Sequence, residues 1–171
     1  NLKTGEKKNY SHSSSPNSLY SPSVYSLYKD SENEIWVGTT GGLNRYLPST
    51  QSFERIYELG HISINSIFED KHRNLWVCTY NDGVFCLDRA EEEWIHYGYH
   101  PGDSASLPCR TLNTASIDDE GNIWFGSDGD GLVKYDSEAR RFTKINLPEH
   151  IRVVNKVLSA GGVVWITTSN G

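Results

Sequence analysis

Tryptophan recurs at a nearly fixed interval along the chain, and this regularity restricts the fold more than any other feature. Four seven-residue segments, at 34–40, 74–80, 122–128 and 163–169, align on a central Trp. These residues are Trp36, Trp76, Trp124 and Trp165, at intervals of 40, 48 and 41 residues. A period of this length is typical of β-propellers, in which each repeat forms one four-stranded sheet, or blade.

The flanks of each tryptophan repeat as well. Upstream of the first three lie short alternating or apolar runs that end in a polar turn, at 24–30, 64–70 and 112–118. Downstream, each has a segment that opens with Gly (42–46, 83–88, 131–136) and then an aromatic-led segment (53–57, 94–97, 142–145). Strand-length runs separated by turn residues predict strand a, the Trp-bearing strand b, strand c and strand d. Helical periodicity appears nowhere at useful length.

The repeats predict an all-β chain, a β-propeller segment of four-stranded antiparallel blades. Three complete blades are expected at 23–57, 61–97 and 111–145. Residues 1–12 match the end of a preceding blade, with its strand d, and residues 151–171 match the start of a further one. Closed propellers have four to eight blades, so open sheet edges are expected at both ends. Such edges favour pairing with the remaining blades of a longer protein or with a second copy, as a homodimer.

The connections between strands carry their own signals. Gly41-Gly42, Asp82-Gly83 and Asp130-Gly131 are typical hairpin dipeptides and join strands b and c. A Ser-Leu pair stands at the same distance before two of the tryptophans, as Ser18-Leu19 and Ser106-Leu107. The long segment that contains each pair is therefore a repeated connection between strands d and a, and its Leu is expected to cover the blade.

Composition excludes two classes of partner. The formal net charge is −6 and no segment concentrates Lys or Arg, so no nucleic-acid footprint is present. No apolar run reaches the roughly 18 residues that a membrane-spanning helix needs, so no membrane contact is predicted for this segment.

The pattern Asp-x-x-Gly-Asn-Ile-Trp-Phe-Gly-Ser, followed by Gly-Leu-x-x-Tyr-Asp, resembles the two-component regulator propeller repeat; it spans 118–136, and 34–46 is a close match. The resemblance covers nearly the whole chain. Departures occur at Asn33 and Arg73, which stand near the family Gly of the a–b turn, and at Cys78, which replaces a Gly. The last repeat also lacks the acidic residue before its Trp.

This resemblance implies a periplasmic sensor region of a hybrid two-component system. In that family, tandem propellers precede an immunoglobulin-like domain, a membrane helix, a histidine kinase and a regulator, and many members sense oligosaccharides. The chain would then be a non-catalytic sensor segment. Its partners would be an oligosaccharide ligand and the remaining blades and downstream domains of the same protein.

Candidate ligand-binding residues lie in the d–a and b–c loops, which meet on one face of a propeller. Aromatic rings and polar side chains of the kind that hold sugars are concentrated there, above all in the 97–110 loop. The candidates are Tyr99, His100, Asp103, Arg110, Asn81, Asp82, Asp128 and Asp130. The same loops hold His61, Tyr80, Ser127, Arg152 and Asn170. The alternative interpretation is that the Asp, Asn and Gly residues only form turns.

Other chemistry is weaker. Asp128-Gly-Asp-Gly131 fits a hairpin turn better than a calcium loop, because further ligands are missing. No metal, cofactor or catalytic residue is predicted: the carboxylates Asp118, Asp119 and Glu120 lie in an a–b turn, on the face opposite the expected cleft. Cys78 and Cys86 lie on neighbouring strands and are expected nearly opposite each other, either as free thiols, which we favour, or as a disulfide. The status of Cys109 stays open.

Three functions therefore compete. A sensor module is supported by the repeat signature. A structural or protein-interaction propeller would have no small-molecule ligand. An enzyme would need a convergent acid/base set on one face, which the sequence does not supply.

Overall fold

The computed structural model describes residues 2–103 and 106–169, which contain fourteen β-strands and no helix. The all-β prediction is confirmed. The first blade has β1 (Val24–Lys29), β2 (Ile35–Thr39), β3 (Gly42–Leu47) and β4 (Ser52–Ile56). The second has β5 (Ile64–Glu69), β6 (Leu75–Thr79), β7 (Val84–Asp88) and β8 (Glu93–Tyr97). The third has β9 (Leu112–Ile117), β10 (Ile123–Ser127), β11 (Leu132–Asp136) and β12 (Arg141–Ile145). The fourth unit holds β13 (Val154–Ala160) and β14 (Val163–Thr168).

Each complete blade is an antiparallel meander in which every strand pairs with its neighbour in sequence. The register repeats with the sequence: Trp36 pairs with Arg45, Trp76 with Cys86 and Trp124 with Lys134. A register shift occurs where strand a pairs with the end of strand b in all four units. Equivalent residues therefore occupy equivalent places in every blade.

The blades pack face to face, and the strand-b tryptophan lies on the face that the following blade covers. Trp36 packs with Ile64 and Ile67 of the second blade, and it is only 2% exposed. Trp76 packs in the same way with Leu112 and Phe125 of the third blade. Trp36 and Trp76 are thus the core residues that the sequence predicts, because each fills the gap between two sheets.

The strand-a aspartate fixes the tryptophan by a hydrogen bond that recurs in three blades. The Trp indole Nε1 donates to Asp Oδ2 over 2.8–2.9 Å, in the pairs Trp36–Asp30, Trp76–Asp70 and Trp124–Asp118. Oδ1 of the same carboxylate accepts two backbone N–H groups of the a–b turn, as at Asp118, where Glu120 and Asn122 donate. One carboxylate therefore closes the turn and orients the core residue.

The fourth unit lacks this bond because its register places Ala160 at the position of the aspartate. Its tryptophan, Trp165, is 63% exposed, and its neighbour Leu158, directly opposite on β13, is 59% exposed. This open face corresponds to the surface that the next blade covers in the first three units.

The a–b turns place one residue in the left-handed region whether or not glycine stands there. Gly121 has a φ of 96°, and Asn33 and Arg73 adopt φ values of 68° and 67° at the equivalent positions. The backbone N–H of each donates to the strand-a aspartate carbonyl at 3.1 Å. The sequence departures from the family glycine therefore change the residue and not the turn, at the cost of local backbone strain.

Residues 2–11 begin with a turn and form no strand. That residues 1–12 end a preceding blade, with its strand d, stays a prediction. Tyr10 packs edge-on against Tyr46 and Phe53, and Tyr97 at the end of β8 likewise contacts the rings of Tyr135 and Phe142. Tyr10 therefore makes ring contacts with the first blade like those that Tyr97 makes with the third. At the other end, Asn170 and Gly171 lie outside the described residues.

The Ser-Leu pairs close the long d–a connections. Ser18 Oγ donates to the carbonyls of Ser13 and Ser15, and Ser106 Oγ donates to those of His100 and Asp103. The leucine that follows each serine is buried, Leu19 against the first blade and Leu107 in the cluster between the second and third. The expectation that this leucine covers the blade is confirmed.

Sheet stacking is so close that small residues are required after Trp-Val and Trp-Phe. A Cβ at Gly38 would lie 2.6 Å from Ile64, and a Cβ at Gly126 would lie 2.7 Å from Val154. Both contacts involve strand a of the following blade.

Among residues 2–103 and 106–169, no helix is long and apolar enough to cross a membrane.

We expect Asp118→Asn to destabilise the chain by about 1–3 kcal/mol, because it weakens a carboxylate that accepts from Trp124 and from the turn. Burial alone would raise the pKa of Asp118, but hydrogen bonds from Trp124 and Asn122 hold it below 3.8. Because the pKa of Asp118 is lower in the folded state than in the unfolded chain, the carboxylate stabilises the fold at pH values above the unfolded pKa of 3.8. This contribution is lost as the pH falls through the pKa of the folded state. Urea unfolding at pH 7 and pH 3 measures both effects.

The exposed neighbour Asp119 provides the control for this prediction. Asp119→Asn should leave stability at pH 7 within about 0.5 kcal/mol of the original chain. The role assigned to the Asp118 carboxylate is contradicted if both variants show the same stability and the same acid dependence.

Gly126→Ala should destabilise the chain by about 1–3 kcal/mol, since its Cβ has no room against Val154. Gly98→Ala is the matched control, because its nearest neighbour lies 3.4 Å away, at the end of the His96 ring. Denaturant midpoints compare the two. Equal midpoints would show that the blades separate easily enough to accept a methyl group.

Candidate functional site

The b–c turns of the second and third blades and the d–a connection between them enclose a cleft of ≈300 Å³. The connection is held at two points: Gly83 N donates to the Arg110 carbonyl at 2.7 Å, and Asp128 N donates to that of Thr111 at 3.1 Å. Rigid turns on both sides therefore fix the connection between two blades. The cleft is lined by Asn81, Tyr99, Pro108, Cys109, Arg110, Thr111, Asp128 and Asp130.

Five of the eight sequence-predicted residues line this cleft together. They are Asn81, Tyr99, Arg110, Asp128 and Asp130. They are separated by up to 49 positions in sequence and come from three different loops. The prediction of an aromatic and polar cluster on this face therefore corresponds to a single concave surface.

The other three candidates serve the loops themselves. The backbone N–H of His100 donates to Ser106 Oγ at 3.2 Å, and the carbonyls of His100 and Asp103 accept from that hydroxyl. The Asp82 carbonyl accepts from His96 Nε2 at 2.8 Å. None of the three is among the residues that line the cleft.

Two cations balance the carboxylates of the cleft. The Arg110 guanidinium lies 5.1 Å from the centre of the Tyr99 ring, a cation–π arrangement that orients both side chains. Lys144 Nζ donates to Asp130 Oδ1 at 2.8 Å from β12, the outer strand of the third blade. The cleft thus combines an aromatic ring with donors and acceptors of both charges.

Sequence reasoning missed Thr111, whose Oγ1 accepts a hydrogen bond from the b–c turn of the second blade, and Lys144. Asn81 N donates to Thr111 Oγ1 at 3.1 Å. A signal for Lys144 existed in the repeats: Arg55, His96 and Lys144 share one position on strand d, opposite Asn44, Phe85 and Val133. The recurrence of a basic residue or histidine at this strand-d position is a sequence signal for the face that carries the b–c and d–a loops.

The Asp128–Gly131 segment is a hairpin turn. Ser127 N and Oγ both contact the Gly131 carbonyl at 2.9 Å, while Gly129 and Gly131 adopt φ values of 108° and 76°. In the part of the chain that the structure describes, no three His, Cys, Asp or Glu side chains are grouped as metal ligands. The acidic a–b turn is also explained, since Asp118 binds Trp124.

The expectation that Cys78 and Cys86 lie opposite each other is wrong. Cys78 pairs with Val84 and Cys86 with Trp76, so the two residues are offset on the same face of the sheet. Cys78, Cys86 and Cys109 are free thiols buried in the cluster between the second and third blades. Burial raises the pKa of all three, that of Cys109 to about 12.

Comparison with known proteins agrees with this architecture. Residues 21–41 and 58–81 match the family model of the two component regulator propeller. A 74-residue stretch is 32% identical to Histidine kinase P4 of Formosa agariphila, covering 37% of this chain and 5% of that protein. The chain therefore corresponds to a small part of this relative.

Solved structures extend the likeness to most of the chain. One is the extracellular domain of BT3049 from B. thetaiotaomicron, assigned to the hybrid two component systems, with 27% identity and a TM-score of 0.73. The match covers 90% of this chain and 21% of that one. Virginiamycin B lyase from Staphylococcus aureus, at 12% identity and a TM-score of 0.65, shares the fold over 85% of this chain and 48% of its own.

The chain is a segment of a β-propeller. Two of its repeats, at residues 21–41 and 58–81, match the two component regulator propeller, and most of the chain shares its fold with the extracellular domain of BT3049.

The three thiols should not react with Ellman's reagent in the native protein at pH 8, because they are buried and their raised pKa values leave almost no thiolate. In denaturant all three should react. Absorbance at 412 nm counts the released product in both conditions. Rapid reaction of one thiol in the native state would show that the interface between the second and third blades opens readily.

Proposed function

We propose that this chain is a non-catalytic, ligand-sensing segment of the extracytoplasmic propeller of a hybrid two-component sensor, and that its ligand is an oligosaccharide. The observation that carries the proposal is the cleft at Tyr99, Arg110 and Asp130, which is built between two blades of a propeller of this type. The related domain of BT3049 is extracellular, which supports placing this segment outside the cytoplasm, in the periplasm.

The chemistry of the cleft suits a sugar. A ring such as Tyr99, 36% exposed, can pack against the C–H face of a pyranose, while carboxylate, amide and guanidinium groups exchange hydrogen bonds with hydroxyls. The charged groups already have partners in Arg110–Tyr99 and Lys144–Asp130, which orient them before a ligand binds. Preorganised polar groups lose little entropy on binding.

The position of the cleft suggests how binding is transmitted. Asn81 belongs to the second blade and Asp128 and Asp130 to the third, so a ligand contacting both sides favours one spacing of the two blades. Since the blades themselves are rigid sheets, the signal is expected to pass as a rearrangement between rigid domains toward a kinase elsewhere in the protein.

A structural or protein-interaction role is the second candidate. The open face at Leu158, Val163 and Trp165 is apolar and exposed, and the equivalent faces of the first three units are covered by another blade. On this hypothesis the face packs against further blades of a longer protein or against a second copy, and no small molecule binds.

Isothermal titration with an oligosaccharide panel tests the proposal. For a sugar that binds, Tyr99→Ala and Asp130→Asn should each weaken binding about tenfold or more, because each removes a contact of about 1.4 kcal/mol. His100→Ala, on the same loop but outside the cleft lining, should bind as the original chain does. Equal affinity in all variants would place the site elsewhere, and no binding by any sugar would favour the interaction role.

A further inference from the structure

On the face opposite the candidate site, the gap between the first and second blades is filled by an arginine. Arg89, at the end of β7, extends back to the first blade, where its Nη2 donates to Asp30 Oδ2 at 2.6 Å. Its Nη1 lies 3.4 Å from Glu32. Its guanidinium carbon is 5.9 Å from the centre of the Trp36 ring. A guanidinium therefore occupies the space beside the aspartate–tryptophan pair of the first blade.

The next interface has the same aspartate–tryptophan pair but not the arginine. Asp88 pairs with Glu93 and Asp136 with Arg141, so the residue after Asp136, Ser137, stands at the position of Arg89. A serine is too short to fill the gap. An open cleft of ≈420 Å³ lies there, lined by Asp70 and Trp76 of the pair.

The walls of this cleft favour a cation. Asp70 and Asp88 both line it, and burial together with their negative charges raises the pKa of the Cys86 thiol in its lining, against the opposing charge of Arg140. Tyr97 and Tyr135 supply ring surface. Carboxylates beside aromatic rings are the usual surroundings of a bound guanidinium.

One side chain replaces part of what Arg89 does. Asn74 stands where the first blade has Glu34, and its Nδ2 donates to Asp70 Oδ2 at 3.0 Å. In the first interface the equivalent oxygen, Asp30 Oδ2, accepts from Arg89. The Asn74 amide thus replaces that hydrogen bond, but it does not fill the space that the arginine side chain occupies. Asp88 uses its Oδ1 for the turn after β7, accepting from Ala90 N at 3.0 Å. Asp88 Oδ2 does not take part in these turn hydrogen bonds.

We propose that the cleft between the second and third blades binds a guanidinium group, in the place that Arg89 fills between the first and second. Asp88 and Asp70 supply the counter-charge, and Tyr97 and Tyr135 the ring contacts. The guanidinium comes from a small molecule or from an arginine side chain of a peptide segment. Arg140, an exposed residue that lines the cleft, is the chain's own competitor for the site.

Titration with agmatine, a small guanidinium compound, tests the proposal directly. We expect one binding event with a Kd of about a millimolar, weakened by added salt. Because Trp76 Nε1 donates to Asp70, its indole N–H resonance should shift, and that of Trp36 should not. Putrescine, which carries only ammonium groups, should bind at least about tenfold more weakly, since it lacks the planar fork. Equal binding of putrescine would overturn the guanidinium assignment.

Two reciprocal variants locate the site. Ser137→Arg places the chain's own guanidinium in the cleft and should abolish agmatine binding. Arg89→Ser opens the first interface and should create a second event that shifts the Trp36 resonance. Unchanged agmatine binding in Ser137→Arg, with the Trp76 resonance still shifting, would overturn the proposal. If that variant does not fold, Asp88→Asn provides the same test, with a loss of binding of about tenfold expected.

Two further arms distinguish the sources and the competitor. A blocked Gly-Arg-Gly peptide that binds as tightly as agmatine identifies arginine side chains as ligands, and weaker binding of the peptide identifies small molecules. Arg140→Ala should bind agmatine more tightly. If Arg140→Ala instead destabilises the fold and binds agmatine no more tightly, Arg140 itself closes the cleft and the proposal fails. Oligosaccharide binding should be unchanged in Ser137→Arg, which separates this site from the proposed sugar site.

Discussion

The hydrogen bond from the strand-b tryptophan to the strand-a aspartate is the interaction on which the repeat depends. One carboxylate, at Asp30, Asp70 or Asp118, accepts from the turn backbone and from the indole at once. The bond therefore couples the closure of the a–b turn to the placement of the largest core residue. Where it is lacking, in the fourth unit with Ala160 at the aspartate position, Trp165 is also not covered by a following blade. Removing a charged acceptor from a half-buried indole is costly, which makes this pair a natural place to perturb stability.

Close stacking of the sheets turns this local unit into a scaffold for loops. Because Gly38 and Gly126 let strand a of the next blade approach, the ends of neighbouring blades meet and their loops converge. The cleft at Tyr99 and Asp130 lies on one such junction, and the guanidinium cleft at Asp70 lies on the opposite face of the same pair of blades. Both proposed sites are therefore products of the interface between the second and third blades and not of either blade alone.

Much of the fold could be predicted from the sequence because each blade is a local meander. Strand order, turn positions and the covering role of Leu19 and Leu107 all follow from residues close in the chain. One expectation failed, because Cys78 and Cys86 are offset by the register of the hairpin. Register and pairing depend on neighbours that residue type alone does not specify.

The sequence by itself determined the repeat: an aspartate, a tryptophan six residues later, a glycine turn and four short strands, since hydrogen bonds and periodicity within about 40 residues decide these features. Only the tertiary structure decided which loop residues meet. His100 and Asp103 close their own loop, whereas Asn81 and Asp130 reach one cleft across two blades. It likewise showed that a cleft lies between the second and third blades, where Ser137 stands at the position that Arg89 has in the second blade. The side chain that fills such a gap comes from the following blade. Contacts between blades join residues far apart in sequence, and packing fixes them.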